Sequence, residues 1–83
     1  MNRKIFELDF SKCDKYELVV NDSVFNIKFE DGKLNITFNK GNVSDFGLVE
    51  KVNKVKREKV KFFVETEDEI TYASIKCKKA KGE

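Results

Sequence analysis

Histidine, proline and tryptophan are absent from this 83-residue chain, and it has only two cysteines, one methionine and four glycines. The missing histidine removes the commonest general base and the commonest metal ligand. The missing proline, together with the lack of any low-complexity run, excludes collagen-like, proline-rich and linker-like chains. Cys13 and Cys77 are too far apart for a Cys-x-x-Cys motif, and no histidine is present to complete a four-ligand zinc site. The plain reading is two free thiols in a reducing compartment, with a long-loop disulfide forming only if the two ends of the chain meet in space. No apolar run approaches the roughly 18 residues of a membrane helix, and charge appears too early in Met1-Asn2-Arg3-Lys4 for a signal peptide. A cytoplasmic protein without membrane contact is therefore expected.

What is present is apolar residue at 40% and charge at 39%, enough for one small core. The net charge of +2 hides segregation. Residues 1–50 carry −2, residues 51–64 carry +5, residues 65–69 carry −4 and residues 70–83 carry +3. Lysine outnumbers arginine 15 to 2, and with seven asparagines the composition is that of a low-GC coding sequence, which associates the chain with bacteria, phages and mobile elements.

The first half alternates with a period of two, the mark of half-buried strands. Phe6, Leu8 and Phe10 share one face of a strand over 3–10, and Tyr16, Leu18 and Val20 share one face of a second. Phe25, Ile27 and Phe29 define a third strand, and Leu34, Ile36 and Phe38 a fourth. Asp31-Gly32 between these last two predicts a tight hairpin over 23–39, because a type I′ turn needs positive φ at both central residues. The period then lengthens. Leu48, Val49, Val52 and Val55 fall on one helical face, predicting a helix over 45–57 with Ser44 or Asp45 as its cap and Val43 and Leu48 as a staple. Val60, Phe62 and Val64 alternate while Phe63 is apolar on the other side, so this strand should be central. A last strand is read over 70–77, followed by a basic tail over 78–83. The expected fold is a single α+β domain, ordered β-β-β-β-α-β-β. In it, an antiparallel sheet or partial barrel is covered by one amphipathic helix, with the first four strands and the last two as antiparallel neighbours.

Two charged segments are the candidate sites. Lys51, Lys54, Lys56, Arg57, Lys59 and Lys61 form a basic patch that, with the C-terminal lysines, can contact phosphates. Only Arg3 and Arg57 are available for bidentate base readout, and only Phe63 and Tyr72 for base stacking. Glu65, Glu67, Asp68 and Glu69 form an acidic turn, which offers a negative contact patch or oxygen ligands for a hard cation. It lacks the loop length and fixed glycine of an EF-hand, so no metal and no cofactor is assigned. Asp45-Phe46-Gly47 matches three letters of a kinase motif without its context and reads as a helix start. With no histidine to activate a nucleophile and little room for a pocket, no catalytic residue is assigned. The phenylalanine rows are read as core, with one row free to line an interface. The expectation is a non-enzymatic protein acting through its surface as a binding module, inhibitor or assembly component. Its partner would be another protein or, alternatively, nucleic acid, and homodimerisation would run through a sheet edge.

Overall fold

The computed structural model describes residues 1–39, 41–49 and 59–82, and these form seven strands in two antiparallel sheets. The strands are β1 (Asn2–Asp9), β2 (Cys13–Val20), β3 (Ser23–Glu30), β4 (Lys33–Asn39), β5 (Val43–Leu48), β6 (Lys59–Thr66) and β7 (Ala73–Ala80). One sheet has the order β1-β6-β5 and the other β4-β3-β2-β7. The architecture is all-β, which overturns the expected α+β class. No helix is present among the described residues.

The core is a set of inward rows that alternation had marked. Phe6, Leu8, Phe62 and Val64 from the three-stranded sheet meet Leu18, Val20, Phe25, Ile27 and Phe29 from the four-stranded sheet, and Phe10 closes one end. Four phenylalanines bind the layers together. The ring of Phe25 on β3 lies 5.2 Å from Phe46 on β5 and 5.8 Å from Phe62 on β6, and Phe38 on β4 lies 4.7 Å from Phe46. The second sheet thus covers the apolar face that the sequence reading gave to a helix.

Residues 45–48 of the expected helix are strand, Val49 is a bend whose amide donates to the Lys61 carbonyl at 2.9 Å, and residues 50–57 lie outside the described residues. Val43, Phe46 and Leu48 fit the strand because a register shift between Val43 and Asp45 sets all three toward the core. Packing there outweighs the weak helical preference of the segment. Neither the cap nor the staple exists, and Asp45-Phe46-Gly47 is a piece of edge strand. Gly47 stands opposite Phe63 in the register, and the Phe63 ring lies against it at 3.5 Å from where a Cβ would sit. β6 is the central strand of its sheet, as its two apolar faces required.

The 23–39 hairpin is present, with Glu30 paired to Lys33 and positive φ at Asp31 (54°) and Gly32 (73°). Asn21, at φ 53°, makes the equally short turn from β2 to β3. The expected pairing of the first four strands fails at β1, whose partner is β6, and the last two strands lie in different sheets. The chain crosses between sheets at residues 10–12, between β4 and β5, and at residues 67–72. The first crossing is pinned by the Tyr16 hydroxyl, which donates to the Asp9 carbonyl at 2.6 Å. At the second, the Gly41 amide donates to the buried Ser23 hydroxyl at 3.1 Å, and a side chain at 41 would collide with Asp22 and Ser23.

Cys13 and Cys77 form a disulfide, with Cα atoms 6.1 Å apart. This corrects the free-thiol reading. The final strand runs to Ala80, so Lys78 and Lys79, read as tail, are strand residues. Pairing of β7 with β2 is what brings the two cysteines together. Register shifts at Cys13/Lys15 and Lys15/Tyr16 bend this pair of strands beside the disulfide.

Two stability measurements follow. Closing a 64-residue separation removes denatured-state entropy worth about 2–5 kcal/mol, so the Cys13→Ser/Cys77→Ser variant should unfold at correspondingly lower urea, with a steeper slope because the uncrosslinked denatured chain exposes more surface. Phe25→Ala removes the ring shared by both sheets and should cost about 3–5 kcal/mol, again read from the urea midpoint.

Candidate functional site

The two sequence-derived patches do not form one site. Lys51, Lys54, Lys56 and Arg57 lie outside the described residues. Lys59 and Lys61 project from the outer face of β6, where Lys59 pairs with Glu7 at 3.6 Å and Lys61 stands opposite Glu7 in the register. The acidic segment is divided. Glu65 is on the same outer face, 3.8 Å from Arg3, whose guanidinium sits 4.6 Å from the centre of the Phe63 ring. Asp68 is held as a structural post. Its carbonyl accepts from Asn2 Nδ2 at 2.9 Å and Thr66 Oγ1 at 2.6 Å, and its carboxylate accepts from Asn42 Nδ2 at 2.7 Å. Glu67 and Glu69 are exposed in the 67–72 crossing. That crossing is fastened by Asn21, whose Oδ1 accepts from the Thr71 amide at 2.9 Å and whose Nδ2 donates to the Glu69 carbonyl at 3.0 Å. No group of three potential metal ligands occurs among the described residues. Nor does any helix there have the length and apolarity to cross a membrane.

The outer face of the four-stranded sheet is where charge is concentrated. Alternation turns Tyr16, Leu18, Val20, Phe25, Ile27 and Phe29 inward, so Lys15, Glu17, Asn26, Lys28 and Glu30 turn outward. The register then places Lys79, Lys15 and Lys28 directly opposite one another on three adjacent strands, with Asn35 next in the row. The neighbouring row is Lys76, Glu17, Asn26 and Thr37. Lys33 stands opposite Glu30, and Lys78, at the bulge, reaches Glu17 at 3.8 Å. Six lysines therefore share a face with two glutamates, while the opposite face of the molecule mixes both signs and holds the Arg3–Glu65 and Lys59–Glu7 ion pairs.

Like charges directly opposite on adjacent strands destabilise a sheet. Two such pairs in one row, Lys79–Lys15 and Lys15–Lys28, are a local cost with no packing return. Lys28 forms an ion pair with Glu30 on its own strand. The hydrogen bond and charge of Glu30 hold the Lys28 ammonium above its ordinary pKa. Lys28 in turn holds the Glu30 carboxyl below its own ordinary value, with Lys79 adding to the effect from farther away. Among the described residues Lys15, Lys33, Lys76 and Lys79 make no ion pair. Beside the lysine row, Val24, Asn26, Thr37, Phe38 and Asn39 line a shallow open groove of about 170 Å³. No outward position of this sheet is aromatic, and apart from Val24 and the half-exposed Phe38 ring at the groove, contact here rests on charge and on amide and hydroxyl hydrogen bonds.

Alternation assigns Lys15 and Lys28 to the polar side, but the row exists only once the register of three strands is known. Sequence distance hides it, since Lys15 and Lys79 are 64 positions apart. No family model, curated protein or solved structure matches the chain.

One titration tests the local geometry at the first crossing. Asp9 Oδ1 accepts from the Ser11 hydroxyl and, at 3.0 Å, from the Ser11 amide, which holds the Asp9 carboxyl below its ordinary value of 3.8. The contribution to stability is present above 3.8 and is lost as pH falls through the lower folded value. Ser11→Ala should raise the Asp9 pKa partway toward 3.8, since the amide donor remains; an NMR titration of the Asp9 carboxyl reads it directly.

Proposed function

We propose that this protein is a non-enzymatic binding domain that holds a linear polyanion against the outer face of its four-stranded sheet. The observation that carries this is the cross-strand row Lys79–Lys15–Lys28. Positions where a sequence breaks a local stability rule are where function is expected, and here Glu30 offsets Lys28 while Lys15 stands between two lysines. Lysine suits the task as a compact point charge that neutralises a repeating anion without reading sequence. The absence of aromatic side chains among the outward positions favours recognition of the charged backbone of the polymer over stacking on its bases. Asn26, Asn35, Thr37 and Asn39 supply hydrogen bonds beside the charges.

The disulfide bears on where this happens. Disulfides persist in oxidising compartments and are rare where glutathione and thioredoxin keep thiols reduced. We therefore place the folded protein in an oxidising compartment in preference to the cytoplasm.

The test is fluorescence anisotropy with labelled duplex DNA, single-stranded RNA and a sulfated glycan, at low and near-physiological salt. Binding should weaken steeply with salt, and Lys15→Glu/Lys79→Glu should reduce the slope of log affinity against log salt by about two, one per lost contact. Lys59→Glu/Lys61→Glu, on the opposite sheet, should leave the slope nearly unchanged. Full loss on changing Lys51, Lys54, Lys56 and Arg57 to Glu, with none on changing Lys15 and Lys79, would move the site to the basic segment. Absence of salt-sensitive binding to all three polymers would overturn the proposal.

A further inference from the structure

Each sheet has two edges, and three of the four are guarded. β7 carries Lys76, Lys78 and Lys79 and is bent by two register shifts. β5 has a register shift at Val43/Asp45 and a charge at the shift. β1 carries four charges, and Lys4 lies on its inward side, with Nζ 6.0 Å from the centre of the Phe6 ring. Lysines, bulges and inward-pointing charges are the devices by which sheets prevent edge pairing.

β4 has neither a bulge nor an inward charge, and no lysine beyond the turn. Its register with β3 is continuous over all seven residues, from Lys33 to Asn39. Lys33, at the turn, is its one charge. Its outward side is Asn35, Thr37 and Asn39, and its inward side is Leu34, Ile36 and Phe38, with Phe38 46% exposed. In a two-residue hairpin the closing pair, here Glu30–Lys33, is hydrogen-bonded. Alternation from that pair points the N–H and C=O groups of Leu34, Ile36 and Phe38 away from β3. Among the described residues β4 pairs with β3 alone.

We propose that this edge binds a second copy of the chain, β4 to β4 about a two-fold axis perpendicular to the sheet. A two-fold pairing centred on Ile36 uses the whole strand. Ile36 faces its own copy, Leu34 faces Phe38, Asn35 faces Thr37 and Lys33 faces Asn39. Every facing pair then lies on a common side of the sheet, inward apolar with apolar and outward polar with polar. The two Lys33 charges stand at opposite ends, six residues or about 20 Å apart, so no like charges oppose. The free N–H and C=O groups of Leu34, Ile36 and Phe38 meet the same groups of the copy, which gives affinity through main-chain bonds.

The symmetry has a consequence for the polyanion face. A perpendicular two-fold keeps the outer side outward, so the dimer is a continuous eight-stranded sheet about 34 Å wide, with both lysine rows on one side. A linear polymer spanning both rows gains avidity without any new contact. This last step rests on the proposed anion binding. The pairing itself does not.

Sedimentation velocity on the disulfide-intact protein, with and without charge substitutions on the outward side of β4, tests the pairing. Wild type should sediment at twice the monomer mass. Asn35→Lys/Thr37→Lys and Asn35→Glu/Thr37→Glu each oppose like charges across the axis at exposed positions, so each should be a folded monomer by circular dichroism. An equimolar mixture of the two variants should recover the dimer mass, because every facing pair is then of opposite sign. A monomeric wild type, either charged variant dimeric on its own, or a mixture that stays monomeric would each overturn the β4 pairing, whatever the anion-binding assays show.

Discussion

Everything else in this fold depends on the contact between the Phe25 and Phe62 rings. Phe25 is in the middle of the four-stranded sheet and Phe62 in the middle of the three-stranded one, and both are fully buried. Phe46 and Phe38 extend the contact to the two strands on that side. Neither sheet can bury its apolar face alone, and a two-layer arrangement is the smallest solution for strands that are apolar on one side. Once the rings meet, the outer faces are fixed, and with them the side on which each lysine stands.

The three crossings between the sheets complete the arrangement with polar groups. Asp9 ties the end of β1 to β2, while Asn21 and Asp68 tie parts of the chain distant in sequence. Asp9 accepts from Tyr16, Asn21 fastens the 67–72 segment, and Asp68 receives Asn2, Asn42 and Thr66. Burial raises the Tyr16 phenol above its ordinary pKa, and the bond to the Asp9 carbonyl offsets only part of that rise. Polar side chains at sheet ends thus do here what caps do for helices, satisfying backbone groups that the ladders leave open.

Much of this was legible along the chain. The rows Phe6–Leu8, Leu18–Val20 and Phe25–Ile27–Phe29 alternate without ambiguity, and Asp31-Gly32 permits one hairpin. Phe63 behind Phe62 marked β6 as central. The segment after Asn42 was not legible, because Leu48, Val49, Val52 and Val55 satisfy a helical period while Val43, Phe46 and Leu48 equally satisfy a bulged strand. Gly47, a weak helix former, becomes informative only when Phe63 is known to lie across from it. Alternation says which side of a strand is buried and nothing about which sheet the strand joins. Hence the partition of β1 from β2 and of β6 from β7 was missed. The disulfide and the lysine row were missed for the same reason, since both are products of β2 pairing with β7.

The disulfide also changes what it means to cut this chain. The bond between Cys13 and Cys77 makes a closed ring of most of the backbone, leaving β1 on one arm and the end of β7 on the other. A single peptide cleavage anywhere inside that ring opens it without releasing a fragment. The lysines of the outer face stay on one covalent molecule, and the two sheets stay tethered through their buried rings. After a single nick inside the ring, a protein with this connectivity is still one covalent molecule, now of two chains, until the disulfide is reduced as well.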